Sequence, residues 1–131
     1  MTDRQLADLA LDMRSRAYAP YSGFSVGAAL LCADGTVFTG CNVENAAFGS
    51  TICAERTALV KAISEGHRND FVSIAIAGSG DDFCFPCGAC RQMLYEFAPT
   101  LRVLAVRQDG TFEVTSLDAL LPCGFGPKDL Q

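Results

Sequence analysis

Apolar side chains recur at helical spacing near the start of the chain. Leu6, Leu9, Ala10, Met13 and Ala17 share one face, and the amphipathic helix they predict ends before Pro20. After the Tyr21-Ser22-Gly23 turn the pattern changes. Phe24–Cys32 is almost wholly apolar, and Thr36–Cys41 follows it across Ala33-Asp34-Gly35, where Asp-Gly signals a hairpin. Asn42–Gly49 is small, polar and irregular, and reads as a loop. A second helix is expected to begin near Ser50 or Thr51, either able to cap it, and to run to about Ser64, with Gly66 as its stop. Phe71–Ala77 reads as a strand and Gly78–Asp82 as a loop. A third helix from about Cys87 to Phe97 is halted by Pro99. Leu101–Val106 and Thr111–Val114 flank an Asp109-Gly110 turn, and a short helix, Ser116–Leu121, precedes a tail over Pro122–Gln131.

This α-β-β-α-β-α-β-β order predicts an α/β fold, a three-layer α-β-α sandwich around a five-stranded mixed sheet. The apolar runs suit a sheet covered on both faces. The central strand, helix, strand, helix, strand succession implies right-handed crossovers. No repeat or linker divides the sequence, so residues 1–131 read as one domain.

Half the residues are apolar and 19% are charged, which fits a globular chain. The net charge is −5, with only two lysines, and Arg14 and Arg16 lie near Asp8 and Asp12. A nucleic-acid polymer calls for a basic stripe that this sequence lacks, so a small neutral substrate fits better. No apolar stretch is long enough to span a bilayer, and Met1–Met13 has no signal-like apolar core, so no membrane partner is expected. Seven cysteines then read as free thiols in a reducing cytoplasm.

Three of those cysteines carry the chemistry. Cys53 precedes Ala54-Glu55, and Cys87 and Cys90 stand three apart after Pro86, each set at a predicted helix start. A helix start carries partial positive charge and free N–H groups, which favour thiolates. Three thiolates fill three tetrahedral positions of a zinc ion and leave the fourth for water. Cys53 and Glu55 are about 200° apart on a regular helix, so both reach one site only if Cys53 lies at or near the cap. Glu55 is then placed to move protons without being a ligand. This layout is the known pattern of zinc deaminases acting on nucleobases. Three thiolates with Zn²⁺ leave a formal −1, which weakens the metal as a Lewis acid. Arg56, three from Cys53, is placed to donate to the sulfurs and offset that charge; the alternative is an ordinary surface arginine.

Other residues compete for roles. Cys84-x-x-Cys87-x-x-Cys90 resembles the start of a ferredoxin run, but Leu94 stands where the fourth cysteine would fall. Cys53, Cys84, Cys87 and Cys90 could instead form a closed structural zinc site, although Phe85-Pro86 lets Cys84 face elsewhere. Cys32 and Cys41, on strand patterns, read as small buried hydrophobes. The single histidine, His67, follows Gly66 at the far end of the second helix and reads as a helix-end residue.

Tyr21–Ala29, Asn42-Val43-Glu44-Asn45, Cys53–Ala58 and Pro86–Gln92 together resemble cytidine deaminase, in that family's order and spacing and over nearly the whole chain. The three-cysteine set resembles the small homotetrameric form. The resemblance implies one Zn²⁺ per subunit on Cys53, Cys87 and Cys90, and Glu55 as catalytic proton shuttle. It places Asn42 and Glu44 on the ribose hydroxyls, Phe24 and Ala54 against the nucleoside, and Arg56 behind the ligands. Phe125 would reach a neighbouring subunit's site and stack on the base. Phe48 falls where many relatives carry tyrosine. The implied reaction is hydrolysis of cytidine or 2′-deoxycytidine to uridine or deoxyuridine and ammonia, with zinc-bound hydroxide attacking C4. The rivals are a deaminase of blasticidin-type nucleoside antibiotics and, from a different class, a non-catalytic module with the closed four-cysteine site.

Overall fold

Alternation along the central strands decides which helices lie on which side. The computed structural model describes residues 1–131. It forms strands β1 (Val26–Cys32), β2 (Val37–Cys41), β3 (Phe71–Gly78), β4 (Arg102–Val106) and β5 (Phe112–Ser116). The helices are α1 (Asp3–Met13), α2 (Ala54–Ser64), α3 (Gly88–Phe97) and α4 (Leu117–Leu120). Ala28, Leu30, Ile74, Ile76 and Val103 face one side, where they bury Ala58 and Leu59 of α2 and Leu94 of α3. Their neighbours Ala29, Ala75, Ala77, Leu104 and Val106 face the other side, against Leu6, Ala7 and Ala10 of α1. Three layers result, as the sequence predicts.

The sheet runs β2-β1-β3-β4-β5. β1 is antiparallel to both β2 and β3, β3 is parallel to β4, and β4 is antiparallel to β5. The sheet is therefore mixed. α2 carries the chain from β2 past β1 to β3, and α3 joins the parallel pair. Both helices thus begin beyond the same end of the sheet, which brings their N-termini together.

Two glycines let the helices approach. A Cβ on Gly27 would lie 2.0 Å from the Ala10 carbonyl oxygen of α1, and one on Gly40 would lie 2.5 Å from that of Ala54 in α2. Only a residue without a side chain fits at either contact.

Several boundaries differ from expectation, each for a physical reason. α2 starts at Ala54, not at Ser50 or Thr51, because Ile52 exchanges both backbone hydrogen bonds with Val43, at 2.9 Å each. Residues Phe48–Ser50 form a separate 3₁₀ turn. β1 begins two residues late because the Phe24 carbonyl accepts from Asn42 Nδ2 and the Ser25 N–H donates to Ser79 Oγ. Ala17 lies beyond α1, after a 3₁₀ turn over Arg14–Arg16. Gly66 ends α2 as expected, at φ +99°, while His67 N–H returns to the Ala62 carbonyl and Gly66 N–H to that of Ile63. No helix is long and apolar enough to cross a membrane.

The Gly27 contact yields a direct test. Gly27→Ala should lower unfolding free energy by about 1–3 kcal/mol through overpacking against α1. Urea denaturation measures it, and Gly49→Ala, where no atom lies within 4 Å of the added Cβ, serves as the control.

Candidate metal centre and substrate pocket

Cys53 is the N-cap of α2 (φ −74°, ψ 155°) and Cys87 the N-cap of α3 (φ −67°, ψ 167°), with Cys90 in the first turn of α3. The caps aim their sulfurs at one point. Cys53 Sγ lies 3.9 Å from Cys87 Sγ, which lies 3.5 Å from Cys90 Sγ, and all three fall within 4.8 Å of one another. Zinc–sulfur bonds of about 2.3 Å at the tetrahedral angle require sulfurs about 3.8 Å apart. The trio fits that ion with little movement.

Charge is arranged to match. A hydrogen bond from Cys90 pulls the Cys53 thiol down to about 5 against the cost of burial, with further help from the Arg56 guanidinium. The same bond, together with burial, pushes Cys90 upward. Arg56 Nη2 donates to Cys53 Sγ and to the Thr51 carbonyl, both at 3.3 Å. Arg56 faces the ligands and is not an ordinary surface arginine.

Cys53 at the cap, outside regular helix, lets it share a cavity of about 330 Å³ with Glu55. Glu55 is 5% exposed, and burial raises its carboxyl above the usual range. The same cavity is lined by Phe24, Asn42, Glu44 and Ala54. Phe24 leans over two glycines: a Cβ on Gly78 would meet its Cζ at 2.6 Å, and one on Gly80 its Cε2 at 3.2 Å.

Asn42 is buried and holds the backbone beside Phe24. Its Nδ2 donates to the Phe24 carbonyl and its Oδ1 accepts from the Val26 N–H, both at 2.8 Å. Glu44 accepts from the Tyr21 and Ser22 N–H groups at 2.9 and 3.1 Å and from the Ser22 hydroxyl. Those bonds, the hydroxyl's first, hold its carboxyl below the usual range.

Two sequence candidates fall outside this cluster. Cys84 lines the cavity without joining the converging trio, and burial pushes its thiol up to about 12. The closed four-cysteine arrangement is not formed. Phe125 is 57% exposed and does not line its own chain's cavity; its carbonyl accepts from Gln92 Nε2 at 2.8 Å. Phe48, 74% exposed, packs edge-on to Tyr21 and lines an adjoining hollow that shares Ser22, Glu44 and Thr51 with the first.

Comparison with known proteins places this arrangement. The family described as "Cytidine and deoxycytidylate deaminase zinc-binding region" matches residues 1–106. The chain belongs to that family. A cytidine deaminase of Halalkalibacterium halodurans is 47% identical over 98% of each chain. One of Sporosarcina psychrophila is 47% identical over 90% of this chain and 87% of its own. Among solved structures, cytidine deaminase from Burkholderia pseudomallei superposes at a TM-score of 0.92, with 50% identity over 95% of this chain and all of that one. The Mycobacterium tuberculosis enzyme superposes at 0.83 with 37% identity, over 96% and 99% of the two chains. This deaminase is thus a hydrolase of carbon–nitrogen bonds, and its thiolate trio suits the family's zinc.

Sequence reasoning missed Arg91. Its Nε donates to the Pro86 carbonyl at 2.6 Å and its Nη1 to that of Leu120 at 2.8 Å. One guanidinium thereby clamps the residue before Cys87 to the end of α4. Only its place beside Cys90 hinted at this, since the partners are set by tertiary structure. Arg91→Ala should speed zinc loss to a chelator by roughly 10–100-fold, with Arg91→Lys intermediate. Chelator competition at fixed pH measures both rates.

Proposed function

We propose that this chain hydrolyses cytidine and 2′-deoxycytidine to uridine and 2′-deoxyuridine, releasing ammonia. The observation that carries the reading is one cavity lined by Cys53, Cys87, buried Glu55, Asn42 and Glu44, with buried Cys90 completing the thiolate trio. The trio would hold zinc, which supplies Lewis-acid activation of water when bound. In this reading Glu55 takes one proton from the attacking water and delivers it to ring N3. It then takes the second from the hydroxyl added at C4 and gives it to the departing amino group, which leaves as ammonia. Arg56 offsets the sulfurs' negative charge. Phe24, with Ala54, packs against the base and sugar. Asn42 and Glu44 orient the ribose through the acceptor and donor capacity that their internal bonds leave free.

A nucleoside fits better than a nucleotide. The cavity and its adjoining hollow carry no Lys or Arg on their walls, and Glu44 adds a fixed negative charge. A 5′-phosphate would enter against that charge. Asn42 and Glu44 favour a ribose-bearing substrate over free cytosine, and a deaminase of blasticidin-type antibiotics is the reading that substrate comparison would substitute. Long nucleic acid lacks a basic track here.

The protomer is read as one catalytic domain in a homotetramer, acting in pyrimidine salvage in the cytoplasm. Phe125 would reach a neighbour's cavity, its tail held by Gln92 and by Gly124 lying against the Tyr95 ring. Exposed Tyr18, Tyr21 and Phe48 add apolar surface for such contacts.

Three measurements test this. Glu55→Gln should lower kcat by about 10²–10⁴-fold while zinc content and melting temperature hold; near-normal turnover would remove Glu55 from the reaction. Ultraviolet assays should show turnover of cytidine and deoxycytidine, with deoxycytidine 5′-phosphate and free cytosine each slower by at least about a hundredfold. Phe125→Ala should raise KM in a species of tetrameric mass, and a monomeric mass with normal KM would end the shared-site reading.

A further inference from the structure

The far end of α2 gathers a second set of metal-binding side chains that the reaction does not use. Cys32 ends β1, just past a bulge between Leu31 and Cys32 that breaks the register with β3. Such bulges re-aim a side chain. His67 follows the Gly66 stop of α2, and Asp70 immediately precedes β3. Ligand atoms of Cys32, His67 and Asp70 lie within 4.8 Å of one another. The α2 helix, about 16 Å long by its eleven residues, separates them from Cys53.

Two further observations point to a cation. Asp70 Oδ1 is buried without any hydrogen-bond partner, whereas Oδ2 pairs with His67 Nδ1 at 2.8 Å. Buried carboxylate oxygens ordinarily have partners, so an unsatisfied one beside a thiol and an imidazole has unused acceptor capacity. Asp34 adds a second carboxylate, close enough for its charge to act on Cys32. The Lys61 ammonium, bonded to the Thr39 carbonyl, lines the same hollow as His67. Access is open: His67 and Asp70 are 18% and 30% exposed, and His67 borders a surface hollow with Thr36 and Phe38.

We propose that Cys32, His67 and Asp70 form a second, non-catalytic site for a thiophilic divalent cation of the zinc class. Sulfur, imidazole and carboxylate together suit zinc and disfavour calcium or magnesium, which take oxygen ligands. Bonds of about 2.0–2.1 Å at the tetrahedral angle need nitrogen and oxygen about 3.3 Å apart, so the His67–Asp70 pair opens by roughly half an ångström. Binding releases the Cys32 thiol proton, and water completes the shell. The ion would tie the end of β1 to the turn between α2 and β3, a staple independent of the deaminase reaction.

Equilibrium dialysis of the zinc-loaded enzyme against micromolar free zinc, followed by elemental analysis, tests this. Wild type should hold two zinc ions per chain, and Asp118→Asn, an exposed-acid control, should also hold two. His67→Gln, Asp70→Asn and Cys32→Ala should each weaken the second ion at least tenfold while deamination stays unchanged. Added zinc should raise the melting temperature of wild type and not of these variants. A wild-type count that stops at one, or a second ion retained in all three variants, overturns the site. Either outcome would leave His67–Asp70 a plain ion pair beside a packed thiol.

Discussion

The convergence of two helix N-termini is the constraint on which the rest of this molecule depends. Cys53 and Cys87 can share one metal only because α2 and α3 begin beyond the same end of the sheet, and because each cysteine occupies the cap. At the cap the backbone is still extended, so Cys53 escapes the angular separation that regular helix would impose on it and Glu55. The neighbouring structure enforces that boundary. Ile52, paired with Val43 on both backbone groups, holds the chain extended until Cys53. Gly40 then lets α2 settle onto β2 at a separation that any side chain would prevent.

The electrostatics follow from that placement. Three thiolates and a dication sum to a charge of −1, and the α2 and α3 dipoles offset it only in part. Arg56 supplies a whole positive charge on the same helix, one residue past Glu55, with its Nη2 on the Cys53 sulfur. A cation placed there would draw electron density from the ligand without occupying a coordination position. Cys84, the one other cysteine near, lines the adjoining cavity without joining the trio, so a metal held by the trio would keep a fourth position free. Phe24 and Cys84 both crowd Gly78, at 2.6 and 3.2 Å from where its Cβ would be, so the wall of that cavity depends on a glycine.

What the sequence made legible was local. Layer order, mixed sheet and ligand trio all follow from short-range patterns: apolar periodicity, Asp-Gly turns, and cysteines at fixed spacing before helical runs. The start of α2 was misplaced because Ser50 and Thr51 are good caps by type, while the Ile52–Val43 bridge that overrides them joins segments nine residues apart. Arg91, Gly78 and the side-chain partner of His67 were invisible for the same reason. Their meaning lies in contacts with Leu120, Phe24 and Asp70, which no spacing rule supplies. His67 is a helix-end residue as its position after Gly66 suggests: its backbone N–H bonds the Ala62 carbonyl, while its ring turns to Asp70.

Asn42 shows how the fold and the pocket share a residue. A buried amide is costly unless satisfied, and Asn42 meets that requirement by bonding the backbone on both sides of Ser25. Those bonds delay β1 by two residues, which leaves Phe24 free of the sheet ladder and able to lean across Gly78. Glu44 does the matching job for the Tyr21-Ser22 turn. Each side chain is therefore locked in place by the segment it organises, with one amide hydrogen of Asn42 and about one carboxylate lone pair of Glu44 left unused beside the cavity they line. A polyol arriving there would meet groups whose orientation the fold has already fixed, so little conformational entropy remains to be lost on binding.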